Sequence, residues 1–110
     1  MPGSFVIQRS RNQQYYFNLR AGNNKIILTS ETYVSEAMAR KGIQAVKVNA
    51  RLDAKYSRKV GRGRKPYFVI LAANGEPLGT SELYASSAAR ERGIKAVKQN
   101  APTATLVDRA

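Results

Sequence analysis

Cysteine and histidine are both absent from this 110-residue chain. Without them the protein cannot form disulfides, use a thiol nucleophile, build a serine–histidine triad or bind zinc through its usual His and Cys ligands. Acidic residues are also scarce, seven against 19 lysines and arginines, which leaves few carboxylates for acid–base chemistry. We therefore expect no catalytic residue, no cofactor and no metal, and we predict that the chain is not an enzyme.

Long hydrophobic runs are missing as well. No apolar stretch approaches the ~18 residues that a membrane span requires. The opening residues Met1 to Phe5 show no basic segment followed by an apolar one, so no secretory signal is predicted. The lack of cysteine fits a reducing compartment. We expect a cytoplasmic protein without a membrane partner.

What the chain does contain is an internal repeat, with a constant offset of about 51 residues and roughly half of the positions identical. The repeated pairs include Tyr16-Phe17 and Tyr67-Phe68, Thr29-Ser30-Glu31 and Thr80-Ser81-Glu82, and Gly42-Ile43 and Gly93-Ile94. One copy alone would bury only about 60% of its unfolded surface and would be marginally stable. We therefore predict a single domain over residues 1–110, made of two repeats at about 5–53 and 54–108 that share one core.

Three strands are predicted at the start of each copy. In the first copy, Phe5 to Arg9 is short and apolar, Gln14 to Ala21 alternates with period two, and Lys25 to Thr29 follows a turn. The matching turn of the second copy contains Asn74-Gly75, which favours a type I′ hairpin because both central residues of that turn need positive φ.

A helix is predicted after the third strand of each copy, because the apolar residues then recur at helical spacing. Ser35 and Ser86 are placed as N-caps. Gly42 and Gly93 interrupt the helices at equivalent positions, which predicts either a helix end followed by a short second helix or a kink.

The segment Ala54 to Lys59 lies one offset after the first strand, and Thr103 to Asp108 lies one offset after that. A middle strand that ends one copy and begins the next would join the halves in one sheet. The alternative is two separate three-stranded units packed back to back. We favour the shared sheet, because separate units leave more unpaired edges. The predicted fold is α+β, with two tandem β3-α-β repeats sharing one antiparallel sheet and helices packed on one face.

Two long segments and their copies resemble the YegP-like family of small bacterial proteins: Leu28 to Tyr33 and Gly42 to Ala50. Lys65 to Ile70 and Asn100 to Thr105 look like the second copy of that family, so the resemblance covers nearly the whole chain. It implies tandem units in a single sheet with exchanged terminal strands. It implies no activity, because the family is a domain of unknown function, and no functional residue is carried over.

The formal net charge is +12, and part of it is concentrated in one connection. There the only acid, Asp53, is opposed by Arg51, Lys55, Arg58, Lys59, Arg62, Arg64 and Lys65. A glycine-rich arginine loop beside the aromatics Tyr16, Tyr56 and Tyr67 would hold phosphates and stack unpaired bases. The predicted nucleic-acid contacts are Arg58, Lys59, Arg62, Arg64, Lys65 and Tyr67. The alternative is a solvated hairpin tip whose charges maintain solubility and protect a sheet edge.

One difference between the copies predicts a protein contact. The outward residues Tyr16, Asn18 and Arg20 of the first copy become Tyr67, Val69 and Leu71 in the second. An apolar face there must be covered or must contact another molecule. We expect homodimerisation or a protein partner through Tyr67, Val69 and Leu71.

Other repeated residues have structural interpretations. Glu31 and Glu82 precede the helices, where the positive end of the helix dipole favours a carboxylate, and we prefer this to a catalytic acid–base pair. The repeated pairs Tyr33/Tyr84, Ser30/Ser81 and Asn49/Asn100 lie at element junctions, where backbone groups need partners, and we prefer this to a duplicated ligand site.

The leading functional hypothesis is a noncatalytic basic protein with weak, sequence-independent binding to nucleic acid. The alternative is a protein-interaction or homodimerisation module with incidental charge, and an enzyme of unknown type comes third.

Overall fold

The computed structural model describes residues 2–110, and these form one sheet with two helices. The first half contains strands β1 (Ser4–Arg9), β2 (Tyr15–Arg20) and β3 (Ile26–Ser30), then helix α1 (Glu36–Asn49). The second half contains β4 (Tyr56–Val60), β5 (Pro66–Leu71) and β6 (Pro77–Thr80), helix α2 (Ser87–Asn100) and β7 (Thr105–Asp108). Within this range no helix combines the length and the apolar character needed to cross a bilayer.

All seven strands lie in one sheet, in the order β4-β5-β6-β3-β2-β1-β7. The prediction of an α+β fold with a shared sheet is confirmed. The two halves meet at β3 and β6, where Thr29 lies opposite its own repeat equivalent Thr80. The sheet is mixed, since β7 runs parallel to β1 with Leu106 opposite Phe5, while every other pairing is antiparallel.

The halves are interleaved through their helix connections. Helix α1 leaves β3 at the centre of the sheet and leads to β4 at the far edge of the other half, and α2 leads from β6 to β7 beside β1. The terminal strand is therefore exchanged, as the family resemblance implies. Within residues 2–110 the middle strand β4 pairs only with β5, so it does not join the two halves as a shared strand would.

Both copies contribute to a single hydrophobic core. The helices and the inward residues of the strands form one cluster, which includes Phe5, Ile7, Phe17, Leu19, Ile43, Val46, Phe68, Ile70, Ile94 and Val97. Because strand side chains alternate between faces, the opposite face of the sheet carries Asn18, Lys59, Tyr67, Val69 and Leu71. We call this the open face, since both helices pack on the other side.

The turn chemistry differs from the prediction. Gly75 has a positive φ of 85°, but Asn74 does not, so the loop is not a type I′ turn and that prediction is wrong. The amide of Gly75 donates to the carbonyl of Ala72 (2.9 Å), and the side-chain oxygen of Asn74 accepts from the amide of Glu76 (3.0 Å). One left-handed residue at the end of a three-residue loop is the common alternative hairpin connection.

Both helices begin at the predicted N-caps. The hydroxyl of Ser35 accepts from the amide of Met38 (3.2 Å), and that of Ser86 accepts from the amide of Ala89 (3.1 Å). This bond satisfies one of the amides that a helix start leaves without a partner.

Gly42 and Gly93 do not interrupt the helices, which are continuous, so the predicted break is wrong. Each glycine lies where a tyrosine ring packs against the helix. A Cβ on Gly42 would lie 2.8 Å from Cζ of Tyr33, and a Cβ on Gly93 would lie 2.5 Å from Cζ of Tyr84. These glycines are thus required by close approach of a side chain rather than by helix termination.

The repeated polar residues satisfy backbone groups at element junctions. Ser30 accepts from the amide of Phe17 through its hydroxyl (2.8 Å), and Asn49 donates to a backbone carbonyl in the last turn of α1 (2.8 Å). Ser81 and Asn100 form the same bonds in the second copy. The preference for a structural interpretation of these pairs agrees with these contacts.

Candidate nucleic-acid interface

The basic connection forms a tight hairpin tip between β4 and β5. The amide of Gly61 donates to the carbonyl of Lys65 (2.8 Å), and the amide of Arg64 donates back to the carbonyl of Gly61 (3.1 Å). Gly63 and Arg64 both adopt left-handed conformations, with φ of 67° and 59°. Glycine adopts positive φ without steric cost, whereas an arginine with positive φ destabilises the backbone, and the other contacts of the hairpin must offset this cost. The tip is therefore a defined turn that projects its side chains into solvent.

Four cations surround this tip: Lys59, Arg62, Arg64 and Lys65. All four are exposed, and none forms an ion pair with any residue from 2 to 110. Their charges are not neutralised from within the described chain. Like charges this close repel one another, so a polyanion that lies between them would relieve that repulsion.

Arg58 is different from these four cations. Its guanidinium binds Glu91 on α2 through Nε and Nη2, with distances of 2.8 to 3.0 Å, and Nη2 also contacts Asp53 at 3.1 Å. Lys98 adds a second contact to Asp53 at 3.0 Å, and Arg90 contacts Glu91 at 3.2 Å. Arg58 therefore holds the edge strand β4 to α2, and it is not free to contact phosphate.

The ion pairs of this cluster shift the pKa of each acid downward. Hydrogen bonds from Lys98 and then Arg58 lower the pKa of Asp53, and the hydrogen bond from Arg58 lowers the pKa of Glu91. The same carboxylates raise the pKa of Arg58, with Glu91 as the main cause. Both acids therefore remain ionised and paired at neutral pH, and neither has the raised pKa expected of a general acid.

The predicted aromatic partners separate into two groups. Tyr67 lies on the open face opposite Lys59 in the strand register, and its ring approaches the backbone of Gly61 at the tip. Tyr16 occupies the equivalent open-face position in the other half. Tyr56 is buried in the core, and its hydroxyl donates to the carbonyl of Ala50 (2.6 Å). The expectation that Tyr56 stacks on bases is wrong, because its ring is covered.

The hairpin between β1 and β2 is the repeat equivalent of the basic hairpin and closes with the same two backbone hydrogen bonds, although only one of its residues is left-handed. The amide of Ser10 donates to the carbonyl of Gln14 (2.8 Å), and Gln13 has φ of 68°, close to that of Arg64. Its sequence places glutamine where the second copy has Arg64 and Lys65. The turn itself therefore does not require the positive charges.

The fold and sequence have known relatives. The sequence profile of a family described as "Domain of unknown function (DUF1508)" matches residues 10–56 and 62–108. The chain belongs to the DUF1508 family. The UPF0339 protein of Shewanella oneidensis is 44% identical over 98% of both chains, and one from Bordetella pertussis is 49% identical over 98% of this chain and 96% of its own. The YegP protein of Escherichia coli O157:H7 is 42% identical over 98% of both chains.

Two solution NMR structures of DUF1508 relatives share the fold. The UPF0339 protein from Shewanella oneidensis superposes with a TM-score of 0.91 at 44% identity, covering 98% of this chain and 92% of the other. The yegP protein from E. coli, described as a protein of unknown function, gives 0.93 at 40% identity, covering 99% and 94%. These relatives establish the family and the fold.

The two DUF1508 matches also define the repeat more closely. Each begins in or next to a hairpin, at residue 10 or 62, and ends in a strand that follows a helix, at residue 56 or 108. The start of β4 and the end of β7 therefore fall at corresponding ends of the two family matches, within one residue of the equivalence of Tyr56 and Val107 in the sequence repeat.

The predicted protein-contact residues do not form a strongly exposed patch. Val69 is only 8% exposed, and Tyr67 and Leu71 are partly buried. Val69 lies between Ser57 and Thr80 on the neighbouring strands, whose side chains share the open face. The protein contact remains a prediction, but the apolar surface on which it depends is smaller than the sequence suggests.

Glu31 and Glu82 precede the helices as predicted, but each lies five residues before the first helical residue, too far for the helix dipole to favour its carboxylate. The helices begin at Glu36 and Ser87, so neither glutamate lies in a first helical turn, and Glu82 instead pairs with Lys25 at 3.4 Å. No cluster of acidic side chains suited to a metal ion occurs in the described part of the chain.

Sequence reasoning missed Glu91 as the partner of Arg58. The two residues are 33 positions apart and belong to different elements, an edge strand and a helix. The repeat offers one signal, because Glu91 replaces Arg40 of the first copy and so reverses the charge at an equivalent helix position.

Proposed function

We propose that this DUF1508 protein is noncatalytic and binds single-stranded nucleic acid weakly and without sequence preference through the β4–β5 hairpin. The observation that carries the proposal is the set of four unpaired cations at the tip: Lys59, Arg62, Arg64 and Lys65. They belong to a hairpin whose repeat equivalent closes with the same backbone hydrogen bonds but has glutamine in place of Lys59, Arg64 and Lys65. Charge that the fold does not need is available for a ligand.

The chemistry of the tip suits a flexible polyanion. Lysine and arginine side chains that contact phosphates supply affinity without reading sequence. Tyr67 lies beside Lys59 on the open face, where an unpaired base can stack on its ring. A base within a duplex presents its edge to the grooves and is not free to stack in this way, so single strands are favoured over duplexes.

The experiment is an anisotropy titration of a labelled single-stranded oligonucleotide at about 50 mM salt, with a duplex of equal length for comparison. The key variant is Lys59→Gln/Arg64→Gln/Lys65→Gln, which introduces the residues that the first copy carries at these positions. Gln13 already adopts the left-handed conformation that position 64 requires, so the variant hairpin is expected to fold.

A matched control removes three exposed cations elsewhere, Arg92→Gln/Lys95→Gln/Arg109→Gln. The hairpin variant should lose most of its binding and the control should keep it. Equal losses in the two variants would show that net charge alone attracts the oligonucleotide. No binding by the native protein at about 50 mM salt would favour the protein-interaction alternative.

A further inference from the structure

A groove of about 450 Å³ lies between α1 and the edge of the sheet formed by β1 and β7. Phe5 and Ile43 form its buried floor, and Leu106 forms one wall with 45% of its surface exposed. The volume falls within the range of about 300–1,000 Å³ that is usual for small-molecule sites. The groove is remote from the basic hairpin in the strand order, because β4 and β7 form opposite edges.

The groove exists because β7 has no counterpart on the other side of the sheet. One strand lies beyond β1, whereas none of the described residues pairs beyond β4. Leu106 lies opposite Phe5 in the register, so its side chain is on the helix-facing side. Helix α1 packs over the inner strands and leaves Leu106 uncovered.

The rim of the groove is positively charged. Lys41 and Lys47 line it and form no ion pair with any residue from 2 to 110, and Nζ of Lys47 lies 5.9 Å from the ring centre of Phe5. Arg40 also lines it, but its guanidinium binds Glu36 (3.2 Å) and Asp108 (3.3 Å). The two acids at this end are therefore held by Arg40, and the two lysines remain free.

In the second copy the equivalent region is crossed by side-chain contacts. There the position of Arg40 is taken by Glu91 and that of Phe5 by Tyr56. Glu91 binds Arg58, so α2 is joined directly to the edge strand β4, and the hydroxyl of Tyr56 donates to the carbonyl of Ala50 at the end of α1. Lys98, the equivalent of Lys47, is paired with Asp53. Among residues 2–110 the first copy has none of these three contacts, and α1 is joined to its edge strand β7 by the ion pair of Arg40 with Asp108.

We infer that the groove binds an amphiphilic anion, namely an unbranched acyl chain with a terminal carboxylate. The chain lies along Phe5, Ile43 and Leu106, and the carboxylate is bound by Lys47 and Lys41. Apolar walls alone would accept any hydrophobic molecule, but the unpaired lysines at the rim select a negative head group.

The experiment follows backbone amide shifts of the full chain while decanoate is added below its micelle concentration. Shifts should concentrate in residues 37–47 and 104–108 and spare 88–98, the equivalent helix. Each methylene added from hexanoate to decanoate should tighten binding by up to about fourfold. Lys41→Gln/Lys47→Gln should weaken binding by about three- to tenfold, and the matched variant Arg92→Gln/Lys98→Gln should not.

Leu106→Gln should abolish the dependence on chain length, and decyltrimethylammonium should not compete. The proposal is overturned if the ammonium competes equally, if affinity does not rise with chain length, or if shifts appear equally on both helices. It also fails if decanoate does not bind, and if Leu106→Gln then converts a dimer to a monomer, the groove is an interface between copies.

Discussion

The salt dependence of oligonucleotide binding gives the sharpest prediction for the basic hairpin. Each phosphate that a protein neutralises on a single strand contributes about 0.7 to the slope of log affinity against log salt. Four cations at the tip therefore predict a slope near −2.8, so that raising salt from about 50 to about 200 mM weakens binding roughly 50-fold. The variant Lys59→Gln/Arg64→Gln/Lys65→Gln retains only Arg62 at the tip and should lose roughly threefold over the same range.

The quantity to measure is the difference between the two slopes, since cations elsewhere add the same background to both proteins. Anisotropy titrations at four or more salt concentrations should give a difference of about 2. The control Arg92→Gln/Lys95→Gln/Arg109→Gln should keep the native slope to within about one phosphate. Identical slopes for native protein and hairpin variant would refute the assignment of the phosphate contacts to this hairpin.

Three further predictions concern single residues. Tyr67→Ala should weaken single-strand binding by about 1–3 kcal/mol, whereas Tyr16→Ala at the equivalent position should have little effect; the anisotropy assay compares them. Gly93→Ala should destabilise the protein by about 1 kcal/mol in urea unfolding, because crowding of the Tyr84 ring outweighs the gain of about 1 kcal/mol in helix propensity, and the sign should reverse in a Tyr84→Ala background. Arg58 lowers the pKa of Glu91 in the folded state. The Arg58–Glu91 ion pair therefore stabilises the fold above the unfolded pKa of about 4.3, and this stabilisation is lost as the pH falls through the lower pKa of the folded state. The loss of stability between pH 7 and pH 3 should therefore be smaller in Glu91→Gln than in the native protein, and an equal loss would contradict this role.

The duplication made the fold predictable, because the same pattern of strands and helix occurs in both copies and each copy supports the assignment in the other. Ser35 and Ser86 begin helices by a local rule, and both are confirmed. The period-two alternation of apolar and polar residues is also a local pattern, and it predicted the strands of the sheet. The residue patterns did not predict the interleaved order of the strands, since it depends on where α1 and α2 lead, and only the family resemblance implied the exchange of terminal strands.

The wrong predictions concern residues whose role is set by contacts with residues distant in the sequence. Gly42 looked like a helix terminator, but its lack of a side chain serves the ring of Tyr33, which lies nine residues earlier in the sequence and packs back on the helix. Arg58 looked like one of a run of free cations, but Glu91 neutralises it from another element. The hairpin cations at 59, 62, 64 and 65 were predictable because their exposure follows from the turn itself.

Comparison of the two copies within one chain distinguishes residues that maintain the fold from residues that are proposed to bind a ligand. Residues that recur, such as Ser30 and Ser81, make the same bonds in both halves and maintain the shared core and sheet. Each proposal depends in part on residues that differ between the copies: Lys59, Arg64 and Lys65 stand where the first copy has glutamine, and Arg40 stands where the second copy has Glu91. The basic tip belongs to the second copy and the open groove to the first, so each proposed site has a natural control in the other half.

The most direct test of this account is amide NMR of the full chain during titration with a single-stranded oligonucleotide. We predict that the largest shifts fall in residues 59–67 and that the equivalent residues 8–16 change little. Equal shifts in the two hairpins, or a largest shift outside residues 59–67, would contradict the claim that the charge difference between the copies creates the binding site.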